Sequence, residues 1–285
     1  MSNGNRRRLA ALVAGVVAAA ALARRALVLD AHLLRTMAGP ALVYTTRDAD
    51  GAPLRVLRTG DVYQSATYLG ERRMEPPFAY HRSFARAFDL VPDARRLLVI
   101  GGGGFAFPKL VATEHPRVRT DVVEVDPAVV EAARRWFFLD EAIATQRAGG
   151  GELSVIVDDG RRFLDRATAG SYDVMVVDAF VGSEPVASLA TAEAAASARR
   201  ALGPKGVYLA NVVSREGGAD VGFLRGAVAT LATAFAHVSV VCATDEARAG
   251  EDNYLVIASA AALDLPDAIA YDADFLGPVL RDADL

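Results

Sequence analysis

The chain has 285 residues, 52% of them hydrophobic and 23% charged, with a formal net charge of −4. That balance describes a globular protein of one large domain, or one domain with a small appendage, and it excludes a general nucleic-acid binder with a broad basic face. Cys242 is the single cysteine, and His32, His81, His115 and His237 are scattered without ligand spacing, so neither a disulfide framework nor a protein metal site is expected.

At the start, Arg6, Arg7 and Arg8 precede an uncharged run from Leu9 to Ala23, which Arg24 and Arg25 close. Residues 1–25 read as a hydrophobic anchor or signal-like segment. The run is shorter than the ~20 residues a spanning helix needs, and basic residues on both flanks leave its orientation open. Three readings stand: an anchor or interfacial helix touching a membrane through residues 9–23, a cleaved signal, or an alanine-rich helix packed on the domain. The chain is accordingly placed in the cytoplasm or at a membrane, with export as the outcome of the second reading.

From Ala41 the pattern changes. Ala41 to Thr46, Leu54 to Arg58 and Val62 to Leu69 are β-rich runs separated by turns at Asp48–Gly51 and Thr59–Asp61. They predict a small antiparallel β-domain over residues 41–75. Glu75-Pro-Pro77 breaks the chain, and Tyr80 to Phe88 reads as a helix leading into the main domain, expected over residues 80–262.

Leu97 to Ile100 is a short apolar run, as for a parallel strand covered on both faces. Gly101 to Gly104 follow at once, and Gly101, Gly103 and Ala106 match G-x-G-x-x-A. Phe105 to Glu114 can form the crossover helix, and Asp121 to Val125 the next strand. Glu124 and Asp126 lie about 20 residues beyond the glycines, where an acid receives a ribose hydroxyl in nucleoside-binding folds. The strand–turn–helix–strand–acid unit predicts a nucleoside-type ligand.

The alternation persists downstream. A helix starts at Pro127. Leu153 to Val157 is a strand ending in Asp158-Asp159-Gly160, and Asp173 to Val177 is another, ending in Asp178. Thr191 to Leu202 is helical and Gly206 to Val213 is the fifth strand. Gly222 to Phe235 is helical, and Val238 to Ala243 with Tyr254 to Ser259 form a closing antiparallel hairpin. The fold class is α/β, a doubly wound Rossmann-like sheet behind a small antiparallel β-domain. Residues 263–285 are an acidic tail with no pattern. Ligands in such sheets lie beyond the carboxyl ends of the strands. There, Gly101–Gly104, Glu124–Asp126, Asp158–Asp159 and Asp178 converge.

Together these residues resemble the aminopropyltransferase family, spermidine synthase and its relatives, within the class I methyltransferase-like fold. Val62-Tyr-Gln-Ser65 is similar to the family's V-x-Q-x segment, and Tyr80-His81 to the start of its Y-H-E segment. LLVIGGGG, VVEVDP, VDDGRRFL and YDVMVVDAF match its successive motifs in order. The resemblance implies that Glu124 takes the ribose hydroxyls, Asp159 the adenine amino group with Gly160 giving clearance, and that Gly101 and Gly103 line the nucleoside. It further implies that Gln64 and Tyr80 hold an amine substrate and that Asp178, with Tyr80, is catalytic.

The implied activity is transfer of an aminopropyl group from decarboxylated S-adenosylmethionine to a small amine, with no metal. A second copy of the chain is a further candidate partner. The chain departs from the family's G-G-G-D-G-G at Gly104, from its D-S-S-D-P at Val181 and from Y-H-E at Arg82, three positions where an acid would grip a polycation. Two other functions therefore stay open: an S-adenosylmethionine-dependent methyltransferase, and a non-catalytic nucleoside-binding module.

Overall fold

The computed structural model describes residues 30–181, 184–215, 221–243 and 251–285. The segment 1–25 singled out in the sequence lies outside them. Among the described residues, no helix is long and apolar enough to cross a membrane.

Four strands build the first sheet: β1 (His32–Thr36), β2 (Gly39–Arg47), β3 (Pro53–Thr59) and β4 (Val62–Tyr68), antiparallel and in that order. Alternation explains two of the three strands read from the sequence, since Ala41 and Val43 on β2, and Leu54 and Val56 on β3, point inward, whereas Ser65 to Tyr68 on β4 are all buried. The edge strand β1 escaped that reading because Leu33 is 78% exposed and its pattern carries little signal. It is tied to the main domain instead, since His32 stacks on Trp136 and the Met37 N–H donates to Asp126. The single helix expected from Tyr80 is two short ones, α1 (Ala79–Ser83) and α2 (Arg86–Leu90).

The main domain follows as β5 (Arg96–Ile100), α3 (Ala106–Glu114), β6 (Arg119–Glu124), α4 (Pro127–Trp136), α5 (Leu139–Ala148), β7 (Glu152–Val157), α6 (Gly160–Arg166), β8 (Tyr172–Val177), the two-residue pair β9 (Phe180–Val181) and β10 (Glu184–Pro185), α7 (Ala192–Ala201), β11 (Leu202–Arg215), α8 (Val221–Leu231), β12 (His237–Cys242) and β13 (Glu251–Ser259). Seven strands form one sheet in the order β12-β13-β11-β8-β5-β6-β7. β11, β8, β5, β6 and β7 are parallel, and β13 and β12 close the edge antiparallel. The central strand β5 has its last four residues at most 2% exposed, because helices cover both faces of the sheet.

β5 pairs with β6 on one side and β8 on the other. The chain thus leaves β5 in one direction and returns past it in the other, which opens a crevice at the carboxyl ends of these strands. Helix starts are set locally: Asp126 caps α4 by accepting the Ala128 N–H, with Pro127 in the first turn, and Thr191 caps α7. The C-terminal residues run as a strap over β12, α8 and α7. The Ile269 N–H donates to the Val240 carbonyl, the Tyr271 hydroxyl to the Val238 carbonyl, and the Leu280 N–H to Thr230 Oγ1.

Candidate functional site

The turn after β5 is built by close approach. Gly101 has φ +97°, and a Cβ there would stand 2.1 Å from the Asp178 carbonyl oxygen. Only glycine lets the ends of β5 and β8 lie this near. Gly103, at φ +49°, faces β4 instead, with the Gln64 carbonyl 3.7 Å from where its Cβ would be. Glu124, 8% exposed, closes the turn from β6. Its Oε2 accepts the N–H groups of Gly102 and Gly103 at 2.9 and 3.0 Å, and its Oε1 the Asp126 N–H at 3.0 Å. A carboxylate accepts about four hydrogen bonds, so these three leave Glu124 room for about one more, as from a ribose hydroxyl. Asp126 is a helix cap and a tether for Met37.

Beside Glu124 the edge turns apolar. Val125 is 46% exposed and Val157, at the end of β7, is 52% exposed, which offers a flat aromatic ligand two apolar contacts. Asp158 pairs with Arg166, and this bond holds its carboxyl below the ordinary range. Asp159 caps α6, its Oδ1 accepting the Arg162 N–H at 2.8 Å, while its Oδ2 carries no bond among the described residues. A Cβ at Gly160 would meet Ile100 Cγ2 at 2.4 Å. The glycine is thus required by packing on β5, apart from any clearance for a ligand.

Asp178 is the centre of a polar cluster at the end of β8. Tyr80 lies beside it, His81 Nε2 is 3.3 Å from its Oδ2, and Asn211 Nδ2 donates to its Oδ1 at 3.1 Å. Burial, with the Asp178 charge adding, pushes the Tyr80 phenol well above its usual pKa, so it is a hydrogen-bond donor rather than a base. His81 Nδ1 and Asn211 Oδ1 are buried without a hydrogen-bond partner among the described residues, and buried polar atoms left so are uncommon unless a ligand or water meets them. Phe78 and Tyr80 flank the His81 ring, with Tyr80 at 4.0 Å between centroids.

Of the residues singled out from the sequence, Gly101, Gly103, Glu124, Asp159, Gly160 and Asp178 lie at the carboxyl ends of the sheet's strands, with Tyr80 of α1 beside Asp178 and Gln64 of β4 beside Gly103. His81 and Asn211 were missed. His81 was visible as the neighbour of Tyr80. Asn211, two residues beyond the buried Leu209 on β11, was detectable as a polar residue inside an apolar strand.

The three departures have structural counterparts. A Cβ at Gly104 would meet Ser65 Oγ at 2.4 Å and the Phe137 ring at 2.9 Å, so that space is filled. Arg82 Nη1 donates to the carbonyls of Pro76 and Pro77, both at 2.9 Å, and shapes the entry to α1. Val181 is paired with Glu184 in the short β9–β10 ladder.

Residues 78–216 match the family described as spermine/spermidine synthase domain. A polyamine aminopropyltransferase of Vibrio vulnificus is 29% identical over 159 residues, 55% of this chain and 50% of the relative. A protein of Nicotiana tabacum named putrescine N-methyltransferase 3 is 30% identical over 120 residues, 41% of this chain and 30% of the relative. The chain spans half or less of the length of these curated relatives. Among solved structures, a probable spermidine synthase from Corynebacterium glutamicum superposes with a TM-score of 0.66 over 81% of this chain and 80% of its own, at 23% identity, a likeness of fold. The strand order and the glycine turn described above lie largely within residues 78–216, the segment that matches the spermine/spermidine synthase domain family.

Proposed function

We propose that the protein is an aminopropyltransferase that moves the aminopropyl group of decarboxylated S-adenosylmethionine to a small amine. The observation that carries this reading is the Asp178 cluster, a partly buried carboxylate with three polar neighbours at the crevice beside the glycine turn.

An alkylamine has a pKa near that of lysine, about 10.4, so at neutral pH it is protonated and holds no free lone pair. Asp178 draws the ammonium in, and accepts its proton as the nitrogen attacks. The new N–C bond forms as the C–S bond breaks, and its electron pair stays on sulfur as a neutral thioether, so no acid is needed on the leaving side. Asn211 fixes the carboxylate by donating to it, with Tyr80 beside it, and Gln64 stands on the far wall beside Gly103. On the nucleoside side, Gly101 and Gly103 leave the backbone bare, Glu124 is offered to the ribose and Asp159 Oδ2 to the adenine amino group, with Val125 as an apolar floor. With Gly104, Val181 and Arg82 in place of acids, the acceptor is expected to carry fewer charges than spermidine.

A second reading, methyl transfer from S-adenosylmethionine to an amine, is favoured by the relative named as a putrescine N-methyltransferase. It uses the same Asp178 and the same nucleoside wall. Mass spectrometry of products from purified protein, given each sulfonium donor with a panel of amines, separates the two. An amine extended by one aminopropyl group, with methylthioadenosine, is the expected result. A methylated amine with S-adenosylhomocysteine would replace the first reading by the second. No product with either donor, together with adenosine-thioether binding, would leave a non-catalytic nucleoside-binding module.

A further inference from the structure

The segment from Val186 to Ala190 runs from the end of β10 towards α7 and lies along the nucleoside edge. Leu189, 9% exposed, reaches Gly160, with its Cδ1 3.5 Å from the point where a Cβ would be. The segment also borders an apolar cavity whose walls include Val177, Pro185, Val186, Tyr208 and Phe223. Chain that borders empty space forfeits dispersion contacts there, so polar bonds have to supply part of its anchoring.

Arg161, the residue after Gly160, supplies them. Its Nη1 donates to the Ser188 carbonyl at 3.0 Å and to Thr191 Oγ1 at 3.1 Å. The guanidinium is in turn held from the C-terminal strap, where Asp282 accepts from Nη1 and Nη2 in a two-pronged pair, both at 2.7 Å. Asp282 also accepts the Thr191 hydroxyl at 2.7 Å, and its own N–H donates to Glu193 at 3.0 Å. Asp165 takes the Arg161 Nε at 3.0 Å on the outer side. The Arg161 bond, followed by that from Thr191, holds the Asp282 carboxyl down to about 2, so it is charged throughout the working pH range.

We propose that Asp282 is a positioning residue for the nucleoside edge: it locks the Arg161 fork, which fixes Ser188 and so sets Leu189 against Gly160. The C-terminal strap thereby contributes to adenosine-thioether affinity from outside the crevice. This rests on the nucleoside-site reading above. An aspartate is suited to the task because two parallel bonds to a guanidinium define an orientation as well as a distance.

The test is calorimetric binding of methylthioadenosine to the full chain, wild type against Asp282→Asn, Asp282→Glu, Arg161→Lys and the double variant Asp282→Asn with Arg161→Lys. Asp282→Asn and Arg161→Lys should each raise Kd about three- to fivefold, the range of a geometrically good surface pair. The double variant should be no worse than either single one, because both cut the same link. Asp282→Glu should recover part of the loss. Tight wild-type binding with an unchanged Kd in both single variants overturns the inference, as does a lowered melting temperature of the free protein without a change in Kd. A wild type that binds no adenosine thioether overturns the nucleoside reading itself, which is a separate failure seen before any variant is made.

Discussion

Gly101 and Asp178 touch through their backbones: a methyl group on Gly101 would stand 2.1 Å from the Asp178 carbonyl oxygen and 2.6 Å from its carbonyl carbon. The two residues end neighbouring parallel strands, and their contact sets the width of the crevice. Gly103, two residues on, has a positive φ, but a methyl group there would find no atom nearer than 3.7 Å. Gly101→Ala should therefore cost about 3 kcal/mol or more, overpacking added to an unfavourable φ. Gly103→Ala should cost only about 1–2 kcal/mol, for the backbone conformation alone. Urea unfolding of the two variants checks the contrast, and equal losses would contradict it.

Asp178→Asn keeps the side-chain shape and removes the charge that attracts an ammonium. Turnover should fall by about 10²–10⁴, the usual range for loss of a general base, with donor Kd changed little. Asn211→Ala should lower turnover less, since Tyr80 stays beside the carboxylate. Single-turnover rates beside donor titrations read both. A silent Asp178→Asn would remove the aminopropyl mechanism.

The sheet was legible because its signals are local. Leu97 to Ile100 has no polar residue, as expected for a strand buried on both faces, and the glycines after it announce a turn. Glu124, Asp159 and Asp178 could be placed at strand ends because each closes an apolar run. What the sequence hid depends on tertiary contact. Helix α5 starts from Phe138 in the left-handed region, φ 63°, without a capping side chain, so the only start signal was the acidic pair Asp140 and Glu141 in its first turn. The strap after Asp264 shows no pattern because only scattered side chains, Leu265, Tyr271 and Phe275, pack on the cores, while its polar bonds go to backbone groups and guanidinium ions. Within the site, the glycines at positions 101 and 160 look like ligand clearance in sequence, yet the structure uses Gly101 to bring the ends of β5 and β8 together and Gly160 to seat α6 against the Ile100 side chain.

Lys109 on α3 gives a pH dependence. Its side chain is fully buried, and Nζ donates to Thr67 Oγ1 at 2.5 Å and to the Arg73 carbonyl at 2.9 Å. Burial lowers its pKa from 10.5 to about 7, with the Glu141 charge opposing. Below about pH 7 folded and unfolded chains both hold the proton. From there towards pH 10.5 the unfolded chain binds more protons, so stability rises with pH, by up to about 1.4 kcal/mol per unit for one proton. Lys109→Met should remove that rise. Urea midpoints from about pH 6 to about pH 9 measure it, and equal slopes in wild type and variant would show that Lys109 is not its source.

The last prediction concerns acceptor choice. Gly104 stands where the family's glycine turn carries an aspartate, and restoring that acid is the direct way to ask whether its loss reset the acceptor. The structure shows why one substitution is insufficient. A Cβ at position 104 meets Ser65 Oγ at 2.4 Å, Ser65 Cβ at 3.0 Å and Phe137 Cδ1 at 2.9 Å. Ser65 is 1% exposed and Phe137 fully buried, so neither can swing into solvent. Gly104→Asp alone should cost about 1–3 kcal/mol by overpacking. Ser65→Gly removes the nearest atoms, and the pair Gly104→Asp with Ser65→Gly should regain part of that stability. If the acceptor is an amine held by Asp178, the paired variant, with Val181→Asp added, should shift the ratio of kcat/KM towards putrescine and spermidine over monoamines. Each charged hydrogen bond so restored is worth about 1.5–3 kcal/mol, a tenfold or larger change in that ratio. Competition assays with mixed amines read it directly. A folded triple variant whose acceptor ratio is unchanged would show that these positions do not set the acceptor.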